Sequence, residues 1–325
     1  MKKFKLYTLT PNPALDLSGH VSQIIPNEKN YVFKPRIDPG GNGLNVARMS
    51  GRLGANVLAL GFLGGATGEQ IKNQLQLEKI PHQFIKIKQN NRTNVTVTND
   101  SDHQQTRLTF PGPQISKTEW NKLLQLIKNF KGPGLFNLGG SLPQGLSSKN
   151  YLQIAQLVAN QHLDLIVDVP SKYLYSLLRK NAPYLFLIKP NEIELNEFFG
   201  KKFNTIEQMS RAALKLNQFS KLVCISLGKK GALLAYDQKV WQGIGPKIKA
   251  KGSVGAGDSM VAAMASQILK LNLISKENFQ DKDIKEILSW GLAAGAATAS
   301  TEGTGLGSAK QIKLLSKKVK ILQII

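Results

Sequence analysis

The hydrophobic positions of this 325-residue chain form short apolar runs separated by longer stretches with helical spacing. Apolar runs that predict buried strands lie at 4–10, 57–62, 135–138, 163–167, 184–188 and 222–226. Helical spacing is found at 69–78, 117–130, 149–161 and 172–180, and an apolar helix is predicted at 260–269. Because strands joined through helices pair in parallel, this order predicts an α/β fold with a mostly parallel sheet.

Two segments, 15–38 and 82–111, have a different pattern. In the second, residues 84–87, 94–98 and 106–110 alternate with period two and have no helix between them, which predicts an antiparallel patch with one wetter face. We expect both segments to form a small sheet inserted into a single domain that spans residues 1–325. An exposed sheet of this kind either covers a site or pairs with another subunit.

A glycine-rich stretch, Gly-Ser-Val-Gly-Ala-Gly-Asp-Ser at 252–259, precedes the apolar helix. Such a turn directs free backbone N–H groups and the positive end of the helix dipole at one point, which makes an anion site. The spacing approaches that of a P-loop, but Asp258 replaces the lysine. Because a carboxylate repels phosphate oxygens, Asp258 is unsuited to holding a phosphate. Its position is explained if it acts as the base that deprotonates an attacking hydroxyl. The alternative is an ordinary turn with Asp258 in the first turn of a helix.

Other polar residues stand where the predicted elements end. A second glycine-rich turn at 38–45 opens a helix. Loops at the carboxyl ends of parallel strands bind ligands in open α/β sheets, and residues in such loops are Ser141, Asp168, 189–191 and 226–228. Asn191 and Glu194 have the spacing of a capping box, and they could equally arrange magnesium and its waters.

Four residues near the glycine-rich turn or the small sheet have two interpretations each. Asp16 and Asn45 suit a structural role at a turn or hydrogen bonds to sugar hydroxyls. Lys29 and Arg92 are either solvated surface charges or, if the small sheet closes over a substrate, cations that grip a second anion.

Charge favours acidic partners, since 43 Lys and Arg residues against 21 Asp and Glu residues leave a formal net charge of +22. The lysines are scattered, with no basic block interleaved with aromatic residues, so we expect no nucleic-acid partner.

The single cysteine, Cys224, excludes an intramolecular disulfide. With one cysteine and four dispersed histidines, a zinc site is not expected. No apolar run approaches the roughly 18 residues of a transmembrane helix. The N-terminal residues lack the apolar core of a signal peptide, so we expect a cytoplasmic protein with no membrane partner.

Taken together, the motifs resemble the ribokinase-like (phosphofructokinase B-type) sugar kinases over nearly the whole chain. Gly-Gly-Asn-Gly-Leu-Asn-Val-Ala at 40–47 and Val-Gly-Ala-Gly-Asp-Ser at 254–259 look like the two family signatures. The motifs that look like the phosphosugar branch lie at 10–16, 140–143, 189–195 and 226–228. Within that branch, Gly-Gly-Ala-Thr-Gly-Glu at 64–69 and Phe-Pro-Gly at 110–112 are most similar to the minor bacterial 6-phosphofructokinase.

The resemblance implies a three-layer α/β/α sandwich with a small β-sheet lid, often shared in a homodimer. It also implies ATP- and Mg²⁺-dependent phosphorylation of a sugar phosphate, with fructose 6-phosphate as the first choice of acceptor. 1-Phosphofructokinase and tagatose-6-phosphate kinase are the alternatives within the branch. A non-catalytic basic regulator on a kinase fold is the alternative from another class.

The resemblance also implies roles for individual residues. Asp258 matches the general base, and the transferred phosphoryl group would be held by the backbone N–H groups of Gly255, Ala256 and Gly257. The sugar would be held by Asp16, Gly40, Gly41 and Asn45. The phosphate already on the substrate would lie near Lys29, Arg92 and Ser141. The nucleotide side would be lined by Lys189, Asn191, Ser226 and Gly228, with Glu194 acting on magnesium indirectly.

Two residues depart from the family pattern. Asn42 stands where these enzymes usually have Gly or Lys, and Tyr31 stands where the minor 6-phosphofructokinase has Arg. Both departures lie near the sugar-phosphate end, so they bear on the substrate more than on the reaction.

Overall fold

The computed structural model describes residues 5–178 and 182–325. The first residue of the predicted strand at 4–10 and the end of the helix predicted at 172–180 lie outside those residues. The strands are β1 (Lys5–Thr10), β2 (Ala14–Val21), β3 (Phe33–Gly40), β4 (Val57–Leu63), β5 (His82–Lys86), β6 (Arg92–Asn99), β7 (Gln105–Leu108), β8 (Gly134–Gly139), β9 (Asp164–Asp168), β10 (Leu185–Ile188), β11 (Ser220–Ser226), β12 (Ala232–Tyr236), β13 (Lys239–Ile244) and β14 (Lys320–Gln323).

The helices follow most of the predicted positions. They are α1 (Asn42–Arg52), α2 (Gly65–Leu77), α3 (Lys117–Lys128), α4 (Ser148–Asn160), α5 (Ser171–Leu177), α6 (Glu192–Phe199), α7 (Ile206–Leu216), α8 (Ala256–Lys270), α9 (Asp281–Ala299) and α10 (Ala309–Ser316). Among the described residues, no helix combines the length and the apolar composition needed to cross a membrane.

A ten-stranded sheet forms the middle layer, in the order β14-β13-β12-β11-β10-β9-β8-β1-β4-β5. The strands from β11 to β5 in this order are parallel, and β12, β13 and β14 are antiparallel additions at one edge. The chain runs from β1 outward to β5 and then returns to β8, on the other side of β1. Ligands of open α/β sheets bind at the carboxyl ends of strands beside such a switch point.

Both faces of the large sheet are covered, which confirms the predicted three-layer sandwich. Side chains alternate between the two faces along each strand, so Leu6 of β1 packs into one buried cluster and Tyr7 into the other. One cluster includes residues of α1, α8 and α9, and the other includes residues of α3, α4 and α7. Because a strand covered on both faces is apolar throughout, the central strands could be recognised as continuous apolar runs.

A separate four-stranded sheet, in the order β3-β2-β6-β7, is built from the two segments predicted to form the small sheet, 15–38 and 82–111. One detail of the prediction was wrong. Strand β5 does not join this sheet but pairs in parallel with β4 at the edge of the large one. An edge strand has one wetter face, so β5 alternates as an antiparallel strand would. Strands β6 and β7 are antiparallel as predicted, β2 and β3 are antiparallel too, and β2 pairs with β6 in parallel, a direction for which the sequence made no prediction.

Candidate active site

The carboxyl ends of the central strands form a crevice into which α1 and α8 direct their N termini. Asp258 lies in the first turn of α8 and is partly exposed to the crevice. Two amides from α1 hold its carboxylate: Asn42 Nδ2 donates to Oδ1 at 2.7 Å, and Asn45 Nδ2 donates to Oδ2 at 2.8 Å. Each carboxylate oxygen therefore has its own donor, which fixes the orientation of the group.

A second carboxylate, Asp168 at the end of β9, lies beside the first. It accepts a hydrogen bond from Asn42 Nδ2 at 2.9 Å and forms an ion pair with Lys189 Nζ at 3.1 Å. Asp168 and Lys189 are both buried. The two glycine-rich turns and two strand ends thus meet in one polar cluster.

Burial raises the pKa of Asp258 to about 7, and repulsion from Asp168 adds to the effect, while the hydrogen bond from Asn45 opposes it. Although burial lowers the pKa of Lys189, the neighbouring Asp168 carboxylate, together with Cys224 and Glu194, more than compensates, so this pKa is raised and the ammonium stays charged. A carboxylate whose pKa lies close to neutral pH can both accept and release a proton there, which is the property required of a general base.

The backbone at the start of α8 has the conformation of an anion-binding turn. Gly255 adopts φ +73°, which only glycine reaches without strain, and the helical ladder begins with Ser259 N–H donating to the Gly255 carbonyl at 2.8 Å. The amides before Ser259 thus lie ahead of that ladder. The Ala256 amide donates to the Ser253 carbonyl at 3.3 Å, so it is already engaged in the turn. A Cβ added at Gly257 would lie 3.3 Å from Lys189 Nζ, which places this cation against the turn.

The first glycine-rich turn packs against Asp16 on β2. A Cβ at Gly40 would lie 2.0 Å from Asp16 Oδ2, and Gly41 adopts φ +114°. Asn94 of β6 donates to Asp16 Oδ1 at 2.9 Å, and burial raises the pKa of this carboxyl. Both glycines are therefore required locally, Gly40 for close approach and Gly41 for its backbone conformation.

Arg92 and Ser141 approach the same end of the crevice through Asn12, which follows β1. The Arg92 guanidinium donates to the carbonyl of Asn12 at 3.0 Å and to that of Phe110 at 3.3 Å, and Asn12 Nδ2 donates to Ser141 Oγ at 3.4 Å. Lys29 is different, because it lies in the exposed connection between β2 and β3 and makes no hydrogen bond or ion pair with the described residues of this cluster.

The residues predicted for the nucleotide side follow β10 and β11. Asn191 and Glu194 form a full capping box at the start of α6, so the structural interpretation of their spacing is confirmed. Burial raises the pKa of Glu194, although the hydrogen bond from the Asn191 amide opposes this. Asn191 forms a bridge with Ser226, and Gly228 adopts φ +57° with open space where a Cβ would be.

Several residues of the crevice were not singled out as site residues from the sequence. They are Asn12, Asn94, Arg107 and Asn137, whereas Asp168 was placed in a ligand-binding loop but given no individual role. Asn12 could have been selected, because it follows the core strand β1 by two residues. Arg107 of β7 donates to Ser253 Oγ at 2.9 Å and so joins the small sheet to the α8 turn. Nothing local in its alternating strand distinguishes it.

Two cavities among the described residues lie elsewhere. One, of about 560 Å³, is lined by residues that include Tyr184 and Lys221, and the other, of about 520 Å³, by residues that include Arg52 and Val57. Both are at the amino ends of the parallel strands, on the sheet edge opposite the crevice. The candidate site is therefore identified by its polar cluster.

A parallel α/β sandwich with a glycine-rich helix start and a carboxylate beside it has the chemistry that phosphoryl transfer requires, and comparison with known proteins identifies the family. The model of the pfkB family carbohydrate kinases matches residues 13–311. The chain therefore belongs to the pfkB family of carbohydrate kinases, which are ribokinase-like. It is a sugar phosphate kinase of this family.

Curated relatives with different names are nearly equally similar to this chain. The chain is 31% identical to ATP-dependent 6-phosphofructokinase isozyme 2 of Escherichia coli, over 94% of this chain and 95% of that protein. It is also 31% identical to 1-phosphofructokinase of Bacillus subtilis, over 98% and 100% of the two chains. Tagatose-6-phosphate kinase of Staphylococcus epidermidis is 31% identical over 98% and 100%.

The fold agrees with a solved structure of one of these relatives. Phosphofructokinase-2 from Escherichia coli, in complex with substrates and products, superimposes with a TM-score of 0.89 at 31% identity, over 97% of this chain and 99% of that one. Similarity at this level fixes the fold and the family, and the different names of the relatives leave the acceptor sugar open.

Proposed function

We propose that the protein transfers the γ-phosphoryl group of ATP to fructose 6-phosphate, forming fructose 1,6-bisphosphate, as in glycolysis. The observation that carries the proposal is the Asp258 carboxylate, which is held by two amides directly beside the anion-binding turn. A carboxylate next to an anion-binding turn brings the acceptor hydroxyl and the transferred phosphoryl group to the same place.

In this reaction Asp258 takes the proton of the acceptor hydroxyl as its oxygen forms a bond to the γ-phosphorus. The bond from that phosphorus to the departing ADP oxygen breaks at the same time. The N–H groups of Gly255 and Gly257, with Lys189 against the turn, stabilise the negative charge on the transferred group. The Ala256 amide contributes if nucleotide binding releases it from Ser253.

The nucleotide side of the crevice fits ATP with magnesium. Open space at Gly228 lets a nucleotide approach the backbone, and the bridge between Asn191 and Ser226 forms one wall. Among the residues that the structure describes, no group of three or more acidic, histidine or cysteine side chains could hold a metal ion. That fits Mg²⁺, which keeps several waters and is held largely by substrate phosphates. Glu194 would orient one of those waters, and the ion would neutralise phosphate charge.

The acceptor side fits a sugar that already carries a phosphate. Asp16 and the backbone at Gly40 and Gly41 face the sugar, and Arg92 and Ser141 face its phosphate. Asn45 does more than bind the sugar: its amide donates to the Asp258 carboxylate and so helps to hold it. Lys29 would reach the phosphate only if its exposed connection moves on closure of the small sheet. The preference for fructose 6-phosphate rests on the motifs at 64–69 and 110–112. The alternatives stay 1-phosphofructokinase and tagatose-6-phosphate kinase.

A coupled assay of ADP release tests the function. Fructose 6-phosphate, fructose 1-phosphate, tagatose 6-phosphate, ribose and adenosine would be compared as acceptors. We expect the highest kcat/KM with fructose 6-phosphate and a loss of about 10²–10⁴ in kcat for Asp258→Asn. A tenfold higher kcat/KM with another sugar phosphate would favour one of the alternatives. Such a ratio corresponds to a difference of about 1.4 kcal/mol in the activation barrier. If none of the acceptors in the panel supported ADP release, the non-catalytic regulator would be favoured.

The small sheet also supports a homodimer. The sheet exposes the large apolar side chains of Ile37 (52% exposed) and Leu108 (53%), and the connection before β3 exposes Tyr31 (80%). An exposed apolar surface of this kind is typical of a subunit interface. The proposed partner is a second copy of the chain, paired through this lid. Leu108→Asp should lower the mass measured by light scattering from dimer to monomer, whereas Leu77→Asp, which alters a 77%-exposed leucine of α2, should not. A dimer that survives Leu108→Asp would contradict this interface.

A further inference from the structure

Asn42 occupies an unusual position, because one side-chain amide lies between two carboxylates. Its Nδ2 is 2.7 Å from Asp258 Oδ1 and 2.9 Å from Asp168 Oδ2. An ionised carboxylate only accepts hydrogen bonds, so the NH₂ group and not the carbonyl must face both. Its two hydrogens are then both used, one for each carboxylate.

The remaining atom of this amide shows that the arrangement is closely confined. Asn42 Oδ1 is buried without a hydrogen-bond partner, and a Cβ at Gly139 would lie 1.7 Å from it. The backbone before Asn42 is set by Gly41 at φ +114°. An unpaired buried acceptor carries a free-energy penalty, and such penalties are kept at sites where they serve a function.

We infer that Asn42 is a positioning residue for phosphoryl transfer: it orients the Asp258 carboxylate and ties it to the buried pair of Asp168 and Lys189. The inference rests on the proposed function, in which Asp258 is the base. Asn42 touches neither substrate in this role, so its effect passes through Asp258.

The charges around Asp258 determine what loss of Asn42 would do. Asp168 on β9 and Asp16 on β2 repel its negative charge, whereas Lys189 after β10 attracts it. The amides of Asn42 and Asn45 stabilise the ionised form by donating to it. Without Asn42, the repulsion from Asp168 stays and one donor is lost. Asp258 should then be ionised only at higher pH and should be held by Asn45 alone.

Two variants separate this role from simple packing. Asn42→Ala removes both donors, and Asn42→Asp keeps the shape but replaces the donors by a third acidic group. Asn204→Ala, an exposed asparagine before α7, is the matched control. For each, kcat and both KM values are measured from acid to alkaline pH, together with the melting temperature.

At neutral pH we expect Asn42→Ala to lower kcat about 10- to 100-fold, the effect of one lost hydrogen bond to a charged group, with both KM values changed less than about threefold. The acid limb of its pH profile should move upward, so that raising the pH restores part of the rate. Asn42→Asp should lose more than Asn42→Ala, and Asn204→Ala should match the parent.

The outcomes distinguish failure of the inference from failure of the proposed function. If Asn42→Asp is as active as the parent, or if both variants lose the same fraction of kcat at every pH, the positioning role is refuted while an inactive Asp258→Asn still supports the base. If Asp258→Asn itself stays active, the proposed function fails. A variant with a lowered melting temperature is compared at a temperature where it is fully folded.

Discussion

Replacing Asp258 by Asn should make the protein more stable as well as less active, and the gain should depend on pH. Asp258 is partly buried beside Asp168, and these surroundings raise its pKa from 3.8 to about 7. The charged form is therefore less favourable in the folded protein than in the unfolded chain. Asn has no charge to bury and nearly the same shape, so it removes this cost.

The pKa of Asp258 determines how the free energy of unfolding changes with pH. Because the folded pKa lies above the unfolded one, the parent loses stability as pH rises from about 4 to about 7 and loses no more above that. A shift of this size corresponds to at most about 4 kcal/mol, and to about 2–3 kcal/mol between about pH 5 and about pH 8. Since water reaches Asp258 through the crevice, we expect about half of this difference, or about 1–2 kcal/mol.

The substitution also has an effect on stability that does not depend on pH, and comparing two pH values cancels it. The NH₂ group that Asp258→Asn introduces would face the donor of Asn42 or Asn45, which costs stability by about the same amount at every pH. Melting temperatures of parent and variant are therefore compared at about pH 5 and about pH 8, where the difference should grow by a few degrees.

Asp237→Asn, which changes an exposed carboxylate in the turn between β12 and β13, is the control and should show no such growth. The reasoning would be refuted if the Asp258→Asn difference were the same at both pH values, since then no ionisable group with a raised pKa would have been removed. In the same preparation, kcat should fall about 10²–10⁴-fold.

Two further variants test the acceptor side. Arg92→Ala should raise KM for the sugar phosphate about 10- to 150-fold and leave KM for ATP nearly unchanged, because a charge-assisted contact contributes about 1.5–3 kcal/mol; equal changes in both steady-state KM values would contradict its role. Gly40→Ala should displace Asp16, since the new methyl carbon would lie 2.0 Å from its carboxylate oxygen, and should raise KM for the sugar only. Gly245→Ala, where a Cβ meets nothing within 4 Å, is its control.

The sequence was sufficient for the large sheet because burial on both faces leaves a continuous apolar run in each central strand. It was insufficient for β5, because an edge strand has one wet face and alternates like a strand of the small sheet. The parallel pairing of β2 with β6 was also missed. Alternation describes which face a residue occupies, and it contains no information about the direction of a neighbour.

In the candidate site, too, some features could be predicted from the sequence and others could not. Asp258 and the two glycine-rich turns were recognisable, because their spacing is local and has one physical purpose. The amide of Asn42 between Asp168 and Asp258 was not, since it joins residues 126 and 216 positions apart. Only the fold brings those strand and helix ends together. In the sequence, Asn42 was visible only as a departure from the family pattern.

The pairing in the small sheet has a consequence for the order in which the protein folds. Ala14 of β2 pairs with Arg92 of β6, and the chain between them contains β3, α1, β4, α2 and β5. Closing such a long loop costs entropy unless the intervening chain is already compact. We therefore expect the chain from α1 to β5 to assemble with β1 first, and the small sheet to form on it late. By the same argument its amides should exchange with deuterium sooner than those of β1 and β8, so the part of the molecule proposed to cover the substrate is also the part that opens at the lowest cost.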